Sequence, residues 1–285
     1  MIDTIRKNFI YPDIKPQDFR FGSSQFIDTV LREDGDWRNY LTPTELQRRN
    51  GIESSACYIE ASQHAIAVIQ EEQYTVKDQN YSARFNTQLS GATPYGGDPL
   101  KGAESIRNDG LIDDSMLPFN DHINSFEEFN SFKNSNEYEC RLLGKDFLNH
   151  WRLNYDIVFE KNDTLKAKYF KLKQALKYSP CPVSVYGQTD EEGNYVEKSE
   201  GMQDTHLTLA TYVDENNRIH IRDTYEPFDK ILPANYNPDF GMRWSVSKVE
   251  SLKKKYSLRA ILTWFLKEKL IYRAFKIFWI NNKKQ

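Results

Sequence analysis

An α+β fold is predicted for this chain: a helical lobe against an antiparallel sheet lobe, with a cleft between them. Two observations predict it. Helical spacing dominates the first half, where the pattern opening at Cys57 runs on through Ile66, Val68 and Ile69. Strand-like runs crowd the second half, at Val183–Tyr186, 205–213, 218–223 and 242–249. With 285 residues, 39% hydrophobic and 14% aromatic, the chain can bury one large core or two small lobes. The expected organisation is an N-terminal arm over 1–35, a two-lobed domain over 36–249 and a C-terminal helix within 250–285.

Residues 1–35 read as an irregular arm, punctuated by Pro12, Pro16 and Gly22. Residues 57–73 give the clearest helix of the first half, with Ser54 and Ser55 as candidate N-caps. A Gly-rich loop follows (Gly91, Pro94, Gly96, Gly97, Pro99), then a helix from Lys101 to Asn108 stopped by Gly110. The polar, Asn-rich stretch 120–160 reads as loops with one helical turn. Thr164–Lys177 reads as a helix, broken by Pro180 and Pro182, and Gln188–Gly201 as a polar hairpin-like loop between strands.

Composition excludes several classes. Net charge is −3, but from Ser251 onward ten Lys/Arg face a single Glu, so the bulk is acidic and the tail basic. A uniform, specific nucleic-acid surface is not expected; only the tail has the charge for one. Three cysteines make no disulfide framework and fit a reducing compartment or a functional thiol. Neither CxxC nor HExxH occurs, so neither metal nor another cofactor is expected. The N-terminus lacks the apolar region of a signal peptide, and no apolar run approaches the ~20 residues of a membrane span. The expected location is the cytoplasm, or a particle assembled inside a cell.

The chemistry gathers at three positions. Cys57 opens a helix, where backbone dipoles favour a thiolate. His206, 149 residues on, enters an apolar run, and Asp223 follows 17 residues later. A thiol, an imidazole and a side chain to orient it form a nucleophile–base–orienter set. Rival residues fit less well. His220 lies three before Asp223 on the same predicted strand, and His64 sits two helical turns from Cys57, about 10 Å by rise. His122 and His150 have no evident partners. Cys140 and Cys181 read as small buried hydrophobes.

With those residues in view, the chain resembles the papain-like cysteine peptidases over roughly Asp36 to Phe228. Asp36-Trp37-Arg38 and Leu41-Thr42-Pro43 resemble the segment leading to the family's oxyanion glutamine. Ser55-Ala56-Cys57-Tyr58 resembles the nucleophile motif, and Gly96-Gly97-Asp98-Pro99 the Gly-Gly edge that pairs with substrate. Ala103, Ile106 and Gly110 fit the helix after that edge, and Leu117-Pro118-Phe119 a Tyr-Pro-Tyr position. Pro182-Val183-Ser184-Val185 is similar to a Pro-Val-Ser-Val strand, and Asp223-Thr224-Tyr225 occupies the place of Asn-Ser-Trp. The resemblance implies hydrolysis of peptide or isopeptide bonds in a polypeptide substrate. Cys57 would form a thioester, His206 act as base and acid, and Asp223 orient it. Gly96, Gly97, Asp98, Leu207 and Tyr225 would border the substrate.

The departures carry expectations of their own. Asp in place of Asn would add a negative charge to the site. Asn50-Gly51 sits where Gln-Gly should stand if one residue is inserted, while Gln47 lies three residues further back; either could be the side-chain oxyanion donor beside the Cys57 N–H. About 35 residues precede Asp36-Trp37-Arg38, too few for the family's long inhibitory propeptide, so control by such a pro-domain is not expected. The absence of a signal, of that propeptide and of disulfides resembles members encoded by bacteriophages, with virion or host proteins as substrates. The alternative is an inactive papain-fold component of a phage particle or other assembly. Residues 252–280 predict an amphipathic basic helix with three readings: packing on the core with snorkelling lysines, docking a partner protein, or membrane-surface binding.

Overall fold

The computed structural model describes residues 8–249 apart from 16–17, 23–28, 45 and 200. The chain divides into two compact units, 1–249 and 250–285, and every described residue belongs to the first. The helix expected over 252–280 therefore lies outside the described residues.

Helix α1, Cys57–Tyr74, is buried over Cys57–Gln63 and Ala65–Gln70. A helix apolar or buried around most of its circumference belongs in a core rather than on a surface. It packs on one side against α2 (Ala83–Ser90) and α3 (Pro99–Asp109), and on the other against the sheet. Neither expected serine cap is made. Ala56 holds the cap position without a side-chain bond; Ser54 Oγ instead accepts from the Ala56 N–H at 3.3 Å, and Ser55 Oγ donates to the Pro94 carbonyl.

The sheet has six antiparallel strands in the order β3-β8-β4-β5-β6-β7. They are β3 (Trp151–Phe159), β4 (Cys181–Val185), β5 (His206–Val213), β6 (Ile219–Arg222), β7 (Asp229–Ile231) and β8 (Gly241–Lys248). Strand alternation gives the sheet two faces. Tyr155, Ile157, Leu207, Leu209, Met242 and Trp244 pack with α1 and α3. Val158, Phe159, Val183, Val185, Ala210 and Ile221 turn the other way, toward α6 (Leu165–Ala175) and Trp37. Trp37 is fully buried, and its indole N–H donates to the Leu176 carbonyl at 2.6 Å, which pins the chain just before the site to the back of the sheet.

One expectation fails here. The stretch 120–160 carries α4 (Phe126–Phe129), α5 (Glu137–His150) and the nine-residue β3 rather than loops with one turn. Only Cys140 and Gly144 of α5 are buried, so its apolar period is weak, and β3 begins with no Gly or Pro between. Helix α2 falls in a stretch not assigned from the sequence; Ser82 caps it by accepting from the Phe85 N–H and Gly91 ends it in the left-handed conformation.

Candidate active site

The site is built where the start of α1 meets the start of β5. Cys57 is fully buried, and the Leu207 N–H of β5 points at its sulfur. His206, the first residue of β5, is also fully buried. Its Nε2 lies 2.8 Å from Asp223 Oδ1, just past the end of β6. An ionised carboxylate only accepts, so Nε2 carries the proton and Nδ1 is the basic nitrogen of the neutral ring.

Asp223 is held on both oxygens. Oδ1 also accepts from the Thr224 N–H at 2.8 Å, while Oδ2 accepts from the Tyr195 hydroxyl at 2.8 Å and from Lys230 Nζ at 2.6 Å. Lys230 and Asp223 side chains are both wholly out of solvent. The charge that Asp adds relative to Asn is therefore met by a buried ammonium. Sequence reasoning missed Lys230 and Tyr195. A signal existed: a buried carboxylate beside an imidazole requires a counter-charge, and Lys230 lies across the β6–β7 pairing, opposite Ile221.

The two oxyanion candidates separate. Gln47 is fully buried beside the site; its Nε2 donates to Glu53 Oε1 at 2.7 Å and its Oε1 accepts from the Thr224 hydroxyl at 2.9 Å. Asn50 is exposed and donates to Asp121, away from the cleft. The reason is a hairpin. β1 (Arg48–Arg49) pairs with β2 (Ile52–Glu53), and Asn50 and Gly51 form its tip at φ 52° and 77°. Asn-Gly with positive φ at both positions is the preferred two-residue hairpin turn, a signal present in the sequence and not used. His220 also leaves the site, facing Asp214 at 3.5 Å.

The remaining predicted substrate positions are met by the chain itself. Asn8 and Phe9 donate from their N–H groups to the Thr205 carbonyl, at 2.8 and 3.0 Å. Phe9 pairs in parallel with Gly97: the Ile10 N–H donates to Gly97 O and the Gly97 N–H to Asn8 O. The Asn8 carbonyl accepts from Cys57 Sγ at 3.3 Å, so oxygen rather than the carbonyl carbon faces the sulfur. The Asn8 amide donates to the Tyr225 hydroxyl, which in turn donates to Glu53. Gly96 and Gly97 are required by these approaches. A Cβ at Gly96 would meet the Asn8 backbone at 2.4 Å, and one at Gly97 the Tyr58 ring at 2.2 Å. Asp98 caps α3 through the Leu100 N–H, and Leu207 is buried in the core beneath.

Residues Asn8–Ile10 thus lie across the site, although the segment before Asp36 is too short for the long propeptide considered from the sequence. The expected lowering of the thiol pKa is overturned in this state as well. Burial raises the Cys57 thiol well above its ordinary range; the Leu207 N–H opposes that, and the charges of Glu60, Glu53 and Asp223 add to it. Cys140 and Cys181 are buried away from the site, and burial pushes the Cys181 thiol to about 12.

A cysteine at the start of a central helix, beside a strand that opens with a histidine bonded to a carboxylate just past the next strand, fixes the comparison to make. No family model and no curated protein matches the chain. Solved structures do. Xylellain, a cysteine protease from Xylella fastidiosa, superimposes with a TM-score of 0.61 at 15% identity, over 88% of this chain and 100% of that one. The fold is papain-like. The digestive procathepsin L 3 of Tenebrio molitor larval midgut aligns at TM-score 0.54 and 12% identity, over 80% of this chain and 73% of that one. The bromelain protease of Ananas comosus aligns at 0.50 and 13%, over 74% and 97%. In the papain-like frame, the helical layer and the antiparallel sheet predicted from sequence are both present. Among the described residues, no group of His, Cys, Asp and Glu could hold a metal ion, and no helix is long and apolar enough to cross a membrane.

Proposed function

We propose that the chain is a cysteine endopeptidase that cleaves peptide or isopeptide bonds of polypeptide substrates through a thioester on Cys57. The observation that carries this reading is the 2.8 Å bond from the buried His206 Nε2 to Asp223, on the strand whose next residue addresses the Cys57 sulfur. With Nε2 committed to Asp223, Nδ1 takes the thiol proton, and the thiolate adds to the substrate carbonyl carbon. The Cys57 N–H and Gln47 Nε2 receive the oxyanion. The amine departs with the proton from His206, and water, deprotonated by the same ring, hydrolyses the thioester. The arm residues Asn8–Ile10 hold the resting state, and turnover begins when they leave the Gly96–Gly97 edge.

The test is alkylation of the full chain by iodoacetamide from pH 5 to 9, mapped by mass spectrometry, in wild type, Phe9→Ala and Phe9→Ala/His206→Ala. The reading expects fast modification of Cys57 below pH 7 in Phe9→Ala and its loss without His206. It also expects cleavage of unfolded protein substrates that Cys57→Ala abolishes. Cys57 reacting only as an ordinary thiol near pH 8.5 in all three would sink the peptidase. An inert papain-fold assembly component would then lead.

A further inference from the structure

Asp223 is an anion where the resemblance calls for a neutral amide, and the cation that answers it is fixed on three sides. Lys230 Nζ donates to Asp223 Oδ2 at 2.6 Å and to the Tyr225 carbonyl at 2.6 Å, and it lies 5.5 Å from the centre of the Tyr195 ring. Both charged side chains have no exposed surface. An ammonium buried to that degree persists only when paired, and so does the carboxylate. The pairing follows from register: Ile221 sits opposite Lys230, which brings the lysine beneath the residue two beyond Ile221.

We propose that Lys230 is a positioning residue for the His206–Asp223 pair. Its ammonium neutralises Asp223 and divides the carboxylate, Oδ1 to the imidazole and Oδ2 to Lys230 and the Tyr195 hydroxyl. The pair then orients the ring as a neutral amide would, without the field of a bare anion. Among the described residues, the following groups surround His206. Asp223 and Lys230 come from the β6–β7 side. The Tyr195 and Tyr225 rings lie at 6.2 and 5.3 Å, and Cys57 comes from α1. Glu53 of β2 joins through the Tyr225 hydroxyl. Among the described groups, Asp223 bonds directly to the ring in a charged form, so its balance with Lys230 bears most closely on the field at the imidazole.

A role for this positioning in catalysis rests on the peptidase reading; the titration does not. In the full chain with 15N-labelled histidine, the His206 ring is followed by NMR against pH in four proteins. Lys230→Met leaves the carboxylate unbalanced and moves the titration up by about one to two pH units. Asp223→Asn leaves the ammonium unbalanced and moves it down by about as much. Asp223→Asn/Lys230→Met returns it to within about half a unit of wild type. Shifts of opposite sign that cancel in the double variant are a signature that loosened packing does not give. Single variants moving in the same direction, or a double variant as displaced as Asp223→Asn, would overturn the proposal. If Lys230→Met shows no cooperative unfolding transition, the other two variants decide, since the double variant must titrate about a unit above Asp223→Asn. Opposite shifts together with an unreactive Cys57 would sink the peptidase and leave the balancing role standing.

Discussion

The nucleophile side of the cleft and its base side are equally buried but are secured by different physics. Cys57 is covered by backbone hydrogen bonds from Asn8 to Ile10 and by one aromatic anchor, Phe9, whose ring lies 6.2 Å from Phe240 and 6.3 Å from Tyr11. His206 is secured by charge: Asp223 with Lys230 beside it, and Asp204 two residues before it, sharing Lys198 with Asp239. A strand docked on an edge detaches at the cost of its anchor, whereas a buried ion pair cannot lose one member without exposing the other. On the proposed peptidase reading, the difference puts control at the thiol: the base is preassembled, and access is set by residues Asn8–Ile10.

The largest expected effect follows from that asymmetry. Phe9→Ala removes the anchor, and large-to-small changes of this kind cost about 3–5 kcal/mol. If most of that loosens the arm rather than the core, alkylation of Cys57 rises on the order of 10³-fold, while the melting temperature moves little. Unchanged reactivity would mean the arm is as integral as the sheet, and the comparison would break. On the base side, Lys198→Met is expected to destabilise the whole unit by about 3 kcal/mol at pH 7, seen in urea unfolding. Burial, then the charge of Asp239, raise the Asp204 carboxyl. A raised carboxyl contributes stability that is full below its unfolded pKa and lost as pH rises through the folded one. Without Lys198 that loss deepens, so the variant should be less impaired at pH 4 than at pH 7.

How far the sequence revealed these two sides differs for a physical reason. Residues carrying local signals were legible: α1 from its apolar spacing, α3 from Gly110, β5 from its apolar run and β6 from its alternation. The structure places His206 against Asp223 and the adjacent Leu207 N–H at the Cys57 sulfur. What escaped depends on partners distant in sequence. Asn8 reaches Cys57 across 49 residues, and Lys230 acts through Asp223, a pairing set by strand register rather than by any motif. Gln47 and Asn50 could not be told apart by counting, because the hairpin between Gln47 and Ser54 lengthens the path without moving its ends: the Ser54 N–H still donates to the Gln47 carbonyl. The Asn-Gly turn was the local clue.

A smaller effect sharpens the comparison at the junction of the two sides. Gln47 bonds to Glu53 on the nucleophile side and to Thr224 on the base side. Gln47→Ala is expected to lower kcat by on the order of 10²-fold in an arm-released background, with KM little changed. Iodoacetamide needs no oxyanion donor, so the alkylation rate should hold. A parallel fall in both would show that Gln47 shapes the thiol's surroundings rather than receiving charge from the substrate.

The smallest effect guards against misreading acid sensitivity. His64 lies on α1, two turns beyond Cys57 and outside the cleft, in a small cavity with Glu60, Asn80 and Tyr81. Burial, then the charge of Arg222, lower its imidazole from 6.5 to about 4. A depressed histidine contributes stability that is present above its unfolded pKa and lost as pH falls through the folded one, so the loss spans about pH 6.5 to 4. Over pH 7 to 5 the wild type should lose about 1 kcal/mol by this route, allowing for the ring's partial exposure. His64→Gln should flatten the dependence of unfolding free energy on pH across that interval. It should leave the His206 titration where it was, because acid acts on α1 there through an imidazole forced to stay neutral, and on the cleft through one whose field is balanced. If His64→Gln instead shifts the His206 titration, the helix and the base side are coupled and the two sides of the cleft are not independent.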